Sequence, residues 1–443
     1  MSAALIERVC DLIERPRGLE PAERREALIA FEDTMAVTYA GWHEPVVQVV
    51  APLYRGTAAK LIDGGGASSI EHAVFVHATA GHALDYDDVE LTGVTHPSVC
   101  LVPGLLALSD ARPELARRTL SAYAVGLAVN IALSRIFGFS HYDKGWHATC
   151  TIGPLAGAAA LAHLLGLDRG RSRHALALAA AQAGGLQRNF GAMAKPVQAG
   201  FAAAAAVRST LLAEAGIRGD ADIFGSRGYF DLYAGPERGE EPARVPIEIR
   251  LDTLSRKLYP CCYLTHRLIA AGLEARERLG AAGLPEDARI RITTPFGGMR
   301  PLIVFDPKTG LEGKFCGTYT IATALAQGSV GLADFEDSAV SRPAIRALMQ
   351  RIDLSEESLQ GEMPIGLDHG TVRMKIERGG SAILSVDVSA HPGSPGRPAT
   401  DAEMTAKIAD CLALYGDRQG RGPSLDAFRN GLRRTIGMET VNA

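Results

Sequence analysis

Ala80-Gly-His-Ala-Leu-Asp-Tyr-Asp-Asp-Val-Glu-Leu-Thr-Gly-Val-Thr-His-Pro-Ser98 packs two histidines, three aspartates and a glutamate between two apolar segments. Upstream, Ser68-Ser-Ile-Glu71 reads as a capping box that opens a helix running to about Leu84, so the acidic run begins where that helix ends. Carboxylates there face the negative end of the helix dipole, at a cost of roughly 0.3–1 kcal/mol each. Function is a reason to keep Asp85, Asp87 and Asp88 against that preference. Downstream, Thr95-His96-Pro97-Ser98 starts the next helix, because proline is favoured at the first helical position and pushes its predecessor out of the α region. His96 is thereby fixed at a helix mouth.

Helix follows helix outward from this turn. Ala3 to Arg15 and Pro21 to Tyr39 carry apolar residues at helical spacing among charges, and a shorter apolar segment from Pro45 to Leu61 stops at Gly64-Gly-Gly66. Pro97 to Asp110, Pro113 to Phe137, Cys150 to Leu167, Ser172 to Gly184 and Lys195 to Gly216 continue the pattern, with enough Ala and Gly for helix axes to approach closely in a bundle core.

Composition changes at Glu237-Arg-Gly-Glu-Glu-Pro242, and strand-like material is expected only afterwards. Arg289 to Thr294, Val372 to Glu377 and Ala382 to Val388 alternate at period two, the latter two forming a β-hairpin around Gly379-Gly380. Helical stretches at Leu264 to Leu279, Phe315 to Ala326 and Arg342 to Arg351 make this an α+β module that ends at His391-Pro-Gly-Ser-Pro-Gly-Arg-Pro398. Two last helices, about Asp401 to Tyr415 and Ser424 to Ile436, have no strands beside them and return to the first part. The expected fold is mainly α: an all-helical domain of residues 1–255 and 399–443, with a smaller α+β domain, residues 256–398, inserted.

With 47% hydrophobic and 22% charged residues over 443 positions, the chain is a globular protein with a sizeable core. A net charge of −4 without a basic stripe speaks against a nucleic-acid surface, and an acidic small molecule must be met by individually placed cations. Seven cysteines without a CxxC pattern fit a reducing cytoplasm, and the N-terminus lacks the long apolar region of a signal peptide. The apolar stretch from Thr151 to Leu167, broken by Pro154 and His163, reads as a core helix rather than a membrane span. No glycine pattern matches a dinucleotide or P-loop fingerprint.

Three further segments place polar residues where apolar ones are expected. His141-Tyr-Asp-Lys-Gly-Trp-His147 precedes a helix, whose N-terminus favours anions and lowers a histidine pKa. Gln187-Arg-Asn-Phe-Gly-Ala-Met-Ala-Lys-Pro-Val-Gln198 sets Lys195 at the mouth of an Ala-rich helix, where it can hold a carboxylate. Arg256-Lys-Leu-Tyr-Pro-Cys-Cys-Tyr-Leu-Thr-His266 lies near the domain change, where pockets form. Its paired cysteines have no second pair at zinc spacing and no partner base, so no metal is expected and they read as small buried residues.

Together, His82-Ala-Leu-Asp-Tyr-Asp-Asp88 with Thr95-His-Pro-Ser98, Gly145-Trp-His-Ala-Thr149, Asn189-Phe-Gly-Ala-Met-Ala-Lys-Pro196 and Lys257-Leu-Tyr-Pro-Cys261 resemble the signature segments of the MmgE/PrpD family, over nearly the whole chain. That family includes 2-methylcitrate dehydratase, cis-aconitate decarboxylase and iminodisuccinate epimerase. The resemblance implies an all-helical domain with an α+β lid, a homodimer, no cofactor, and site residues at Asp85, His96, His147, Lys195 and Lys257, with Tyr319 of Phe315-Cys-Gly-Thr-Tyr319 as a further candidate. Family dehydratases and decarboxylases usually have Asp-Thr where this chain has Asp88-Val89, which removes one hydroxyl contact. The step from Asp85 to His96, the His141-Tyr142 pair and the Arg-Asn-Phe-Gly run look more like the epimerase, and add Tyr142.

The family's reactions share one logic: take a proton next to a carboxylate, stabilise the carbanion or enolate, then expel a group or reprotonate. Lys195 and Lys257 are expected to clamp carboxylates, His96 and His147 to serve as base and acid in an order left open, and Asp85 to orient one of them. The leading expectation is a cofactor-independent lyase for a small di- or tricarboxylic acid, dehydratase- or decarboxylase-like. An epimerase of a dicarboxylate such as iminodisuccinate is its alternative, and a non-catalytic binding protein a distant third. A cytoplasmic homodimer with neither nucleic acid nor membrane as partner completes the expectation.

Overall fold

The computed structural model describes residues 2–234, 239–362 and 369–439; Glu237 and Arg238 of the charged stretch lie outside them. The first part is helical: α1 (Ser2–Glu14), α2 (Pro21–Gly41), α3 (Pro45–Leu53), α4 (Ile70–Ala83), α5 (Pro97–Ala111), α6 (Thr119–Asp143), α7 (Ala148–Leu165), α8 (Arg169–Ala180), α9 (Ala194–Glu214) and the single turn α10 (Tyr229–Tyr233). The Ala- and Gly-rich α7 packs against α5, α6, α8 and α9. Gly157 shows why small residues are needed there, since a Cβ on it would stand 2.6 Å from the Ala206 Cβ of α9. The segment Pro113–Asp143 and α7 are apolar enough to span a bilayer, but 83% and 94% of their most apolar windows are buried within the protein. They are core helices.

Several local expectations are corrected. Ser69, not Ser68, caps α4, accepting the His72 amide at 3.0 Å, while Glu71 pairs with Arg208, so no capping box forms. The helix expected from Pro113 begins as a 3-10 turn to Arg118, and α6 continues past Phe137 through a break at Gly138 (φ +61°). His141 and Tyr142 therefore sit on its last turn. Strands also come before residue 242: β1 (Arg55–Lys60) and β2 (Gly66–Ala67) pair antiparallel, and β3 (Val89–Glu90) pairs antiparallel with β4 (Leu254–Ser255). That last pair stitches the acidic turn to the segment bearing Lys257.

The later module holds α11 (His266–Leu279), α12 (Gly310–Gly313), α13 (Gly317–Gln327), α14 (Asp337–Val340) and α15 (Pro343–Met349) against β5 (Arg289–Thr294), β6 (Ile352–Glu356), β7 (Val372–Arg378) and β8 (Ser381–Val388). Its sheet order is β6-β5-β7-β8, with β6 parallel to β5 and the other neighbours antiparallel. The β7–β8 hairpin turns at Gly379 and Gly380, both at positive φ, as a tight hairpin requires. Finally, α16 (Asp401–Gln419) packs on α2, and α17 (Leu425–Thr435) touches α2 and α5. The fold is mainly α, and its last helices rest on its first ones.

Candidate active site

The turn after α4 is held by three buried lysines. Lys314 donates to the Leu84 carbonyl, Lys257 to the Asp85 carbonyl at 2.8 Å and Lys407 to the Tyr86 carbonyl at 2.8 Å. Cations on the last carbonyls of a helix match its dipole. They offset the mismatch that the acidic run would otherwise create. Asp85 itself has φ +52° and Val94 φ +55°, a left-handed conformation that non-glycine residues rarely hold without compensating contacts. Both residues line the same small cavity.

Each aspartate has its own partners. The Asp85 carboxylate meets Lys195 and, at 3.2 Å, Lys257; burial alone would raise its pKa, but the two ammonium groups prevail and hold it well below the usual range. Asp87 receives His82 Nδ1 at 2.8 Å, and His96 Nδ1 lies 3.5 Å from the same oxygen. Asp88 binds Arg256 at 2.8 Å and the hydroxyl of Ser98.

His82, His96 and His147 form a row, with ring centroids 4.6 Å apart for the first pair and 5.7 Å for His82 and His147. Burial, before any neighbouring charge, pushes all three well below the ordinary histidine value, so they are neutral imidazoles. His96 Nδ1 lies 2.9 Å from the Asp88 carbonyl. His147 Nδ1 lies 3.2 Å from Gln198 Nε2 and 3.3 Å from Cys150 Sγ.

Asp85, His96, Tyr142, His147 and Lys195, all expected from the sequence, border one cavity of about 30 Å³. Its remaining wall is largely apolar, with Val89 and Phe190 from the helical part and Leu264 and Phe315 from the later module. Lys257 stands behind Asp85 rather than in the wall and has no exposure; its ammonium faces the Asp85 carboxylate. Tyr319 does not border this cavity: its hydroxyl donates to the Asp334 carbonyl and its ring packs on Phe335 inside the later module. Lys314 and Lys407 carry no signal in the sequence, Asp87 and Gln198 lie in segments that stand out there without a role of their own, and His82 belongs to the same group. His82 was findable, since it lies one helical turn before Asp85.

His82, Asp85, Asp87 and His96 each offer a ligand atom within 4.8 Å of the others, a donor set that a divalent cation could use. The charges nearby speak against that use. Asp85 already faces two ammonium groups, and Asp87 already accepts from His82, so an added cation would have to displace or repel them.

Two family models match the chain: the MmgE/PrpD N-terminal domain over residues 14–241 and the MmgE/PrpD C-terminal domain over residues 259–425. Cis-aconitate decarboxylase of Mus musculus is 29% identical over 322 residues, which are 68% of this chain and 65% of that protein, just under two thirds of its length. The cis-aconitate decarboxylase of Aspergillus terreus is 27% identical over 82% of this chain and 80% of its own. The 2-methylcitrate dehydratase of Cupriavidus necator is 28% identical over 62% of this chain and 60% of its own.

Proposed function

The chain belongs to the MmgE/PrpD family, and on that premise we propose that it is a cofactor-independent lyase acting on a small di- or tricarboxylic acid. The observation that carries the reading is the shared cavity: two neutral imidazoles, His96 and His147, and the Lys195 ammonium face one largely apolar space. Lys195 would bind the carboxylate next to the reacting carbon, and its charge would stabilise the enolate that forms when that carbon gains an electron pair. In a decarboxylation that pair comes from the bond to the departing CO₂, and an imidazole then delivers a proton to carbon. In a dehydration one imidazole takes the proton next to the carboxylate and the other protonates the leaving hydroxyl.

A cavity of about 30 Å³ has room for one water and not for a polycarboxylate. Substrate entry therefore requires the wall supplied by Leu264, Pro301 and Phe315 to withdraw. This supports reading residues 256–398 as a lid on the domain formed by 1–255 and 399–443. A cytoplasmic homodimer belongs to the same proposal: the dimer is supported by the exposed apolar side chains of Val49 and Leu53 on one face of α3 and of Phe201 on α9, the cytoplasm by cysteines that are all free.

A second reading, an epimerase of a dicarboxylate such as iminodisuccinate, is favoured by Val89, which puts an apolar side chain in the wall. Base and acid would then act on opposite faces of one carbon, with nothing expelled. A panel of polycarboxylates in deuterated water decides between them. CO₂ loss with solvent deuterium in the product, or loss of water, supports the lyase; deuterium exchange with inversion alone supports the epimerase. Absence of turnover, exchange and binding across the panel would sink both.

A further inference from the structure

We infer that His147 works as its Nε2–H tautomer, the proton donor of the site, and that Gln198 is the positioning residue that keeps it so. The Leu186 amide donates to Gln198 Oε1 at 2.6 Å, and Asn189 Nδ2 donates to the same oxygen at 3.1 Å. The other end of the amide, Nε2, lies 3.3 Å from the Leu186 carbonyl and 3.2 Å from His147 Nδ1. Turning the amide over would set its NH₂ against the Leu186 N–H and its oxygen against the Leu186 carbonyl, two repulsive contacts. The orientation is therefore fixed by residue 186 and not by the histidine.

An amide NH₂ has only hydrogens to offer, so His147 Nδ1 must be the lone-pair nitrogen. Cys150 adds a second donor: burial pushes its thiol well above the ordinary value, so it stays S–H, 3.3 Å from the same nitrogen. A neutral imidazole carries one N–H, and here it is on Nε2, which is buried and has no protein partner among the described residues. His96 is arranged the opposite way. Its Nδ1 faces the Asp88 carbonyl at 2.9 Å and the Asp87 carboxylate at 3.5 Å, both of which only accept, so Nδ1 carries the hydrogen and Nε2 is the base. At rest the site thus holds an N–H at His147 and a lone pair at His96, with both rings uncharged.

The assignment of acid and base rests on the proposed chemistry; the tautomer does not. The test is ¹⁵N NMR of histidine-labelled full-length protein, with His147→Gln used to assign the ring, together with Gln198→Glu and Gln198→Met. The expected wild-type pattern is protonated Nε2 and bare Nδ1. Gln198→Glu replaces the donor by an acceptor and should move the proton to Nδ1. With the substrate identified, it should also lower kcat by up to about 10⁴-fold, the scale of holding a catalytic imidazole in the wrong tautomer, with little change in KM. Gln198→Met removes the bond without imposing its reverse, so it should give a mixture of tautomers and a smaller loss. A wild-type ring protonated at Nδ1, or a Gln198→Glu ring unchanged from wild type, overturns the inference. If no polycarboxylate is turned over, the proposed function fails while the NMR result still decides the tautomer.

Discussion

Lys257 Nζ stands 2.8 Å from the main-chain carbonyl of Asp85 and 3.2 Å from its carboxylate, with both side chains buried. One ammonium thus holds the strained backbone of Asp85 and neutralises its side chain. Lys195 meets the same carboxylate from the cavity side. Asp85 is a carboxylate between a fully buried cation and one that borders the cavity.

Lys257→Met should cost about 3–5 kcal/mol of stability, because removing one member of a buried ion network leaves the other charge under-compensated. The urea midpoint followed by far-UV circular dichroism reads this directly. An unchanged midpoint would show that Lys195 alone suffices for Asp85.

Acid should destabilise the protein early. Burial holds His141 and His391 at about 4, and His82, His96 and His147 well below the ordinary value. An unfolded chain takes up these protons near pH 6.5 or about that, whereas the fold cannot, so the unfolded state binds more protons in the window from about 6.5 down to about 4. Stability is then fully present above about pH 7 and falls as pH falls, by up to about 1.4 kcal/mol per pH unit for each such histidine. A thermal midpoint that stays level from pH 7 to pH 5 would contradict this.

Among the described residues Lys314 has a carbonyl partner and no carboxylate at ion-pair distance, and burial pushes it down to about 8. Its charged form is a burden on the fold below that pH, relieved as pH rises from about 8 towards the unfolded value near 10.4. Lys314→Met should therefore leave neutral-pH stability unchanged or raise it by up to about 4 kcal/mol, while lowering kcat because the Leu84 carbonyl loses its anchor beside Asp85. Chemical denaturation at pH 7 and pH 10 tests the first part: the advantage should shrink at the higher pH. A variant clearly less stable than wild type at pH 7 would refute it.

Activity should survive exhaustive chelation, since the His82, Asp85, Asp87 and His96 donors are already engaged by hydrogen and by ammonium groups. The check is the rate after EDTA treatment and gel filtration, compared with the rate after adding back Zn²⁺, Mn²⁺ or Fe²⁺. Loss with rescue by one ion would make the cluster a metal centre.

The helices were legible because α1, α2, α5 and α9 announce themselves by apolar spacing and by proline or small-residue punctuation. The short pairs β1–β2 and β3–β4 were not, since two residues of strand leave no periodicity to read. In the site, Asp85, His96, His147 and Lys195 stood out as polar residues in apolar surroundings. Lys314 and Lys407 did not, because one follows a glycine-bearing turn and the other sits within α16, both places where a lysine is ordinary, and only tertiary packing brings each to the Leu84 or Tyr86 carbonyl. Tyr319 misled for the converse reason: a motif can be carried along by helix packing, and here the ring belongs to the core of its own module.

The carbonyls of Leu84, Asp85 and Tyr86 receive their cations from residues 314, 257 and 407. During synthesis the acidic turn therefore leaves the ribosome long before the groups that hold it, and the last of them arrives only when α16 docks on α2. A nascent chain stopped short of α16 would carry every residue of the cavity wall and still lack a set turn. The shape of the cavity thus depends on a lysine that lies far downstream of the last residue in its wall.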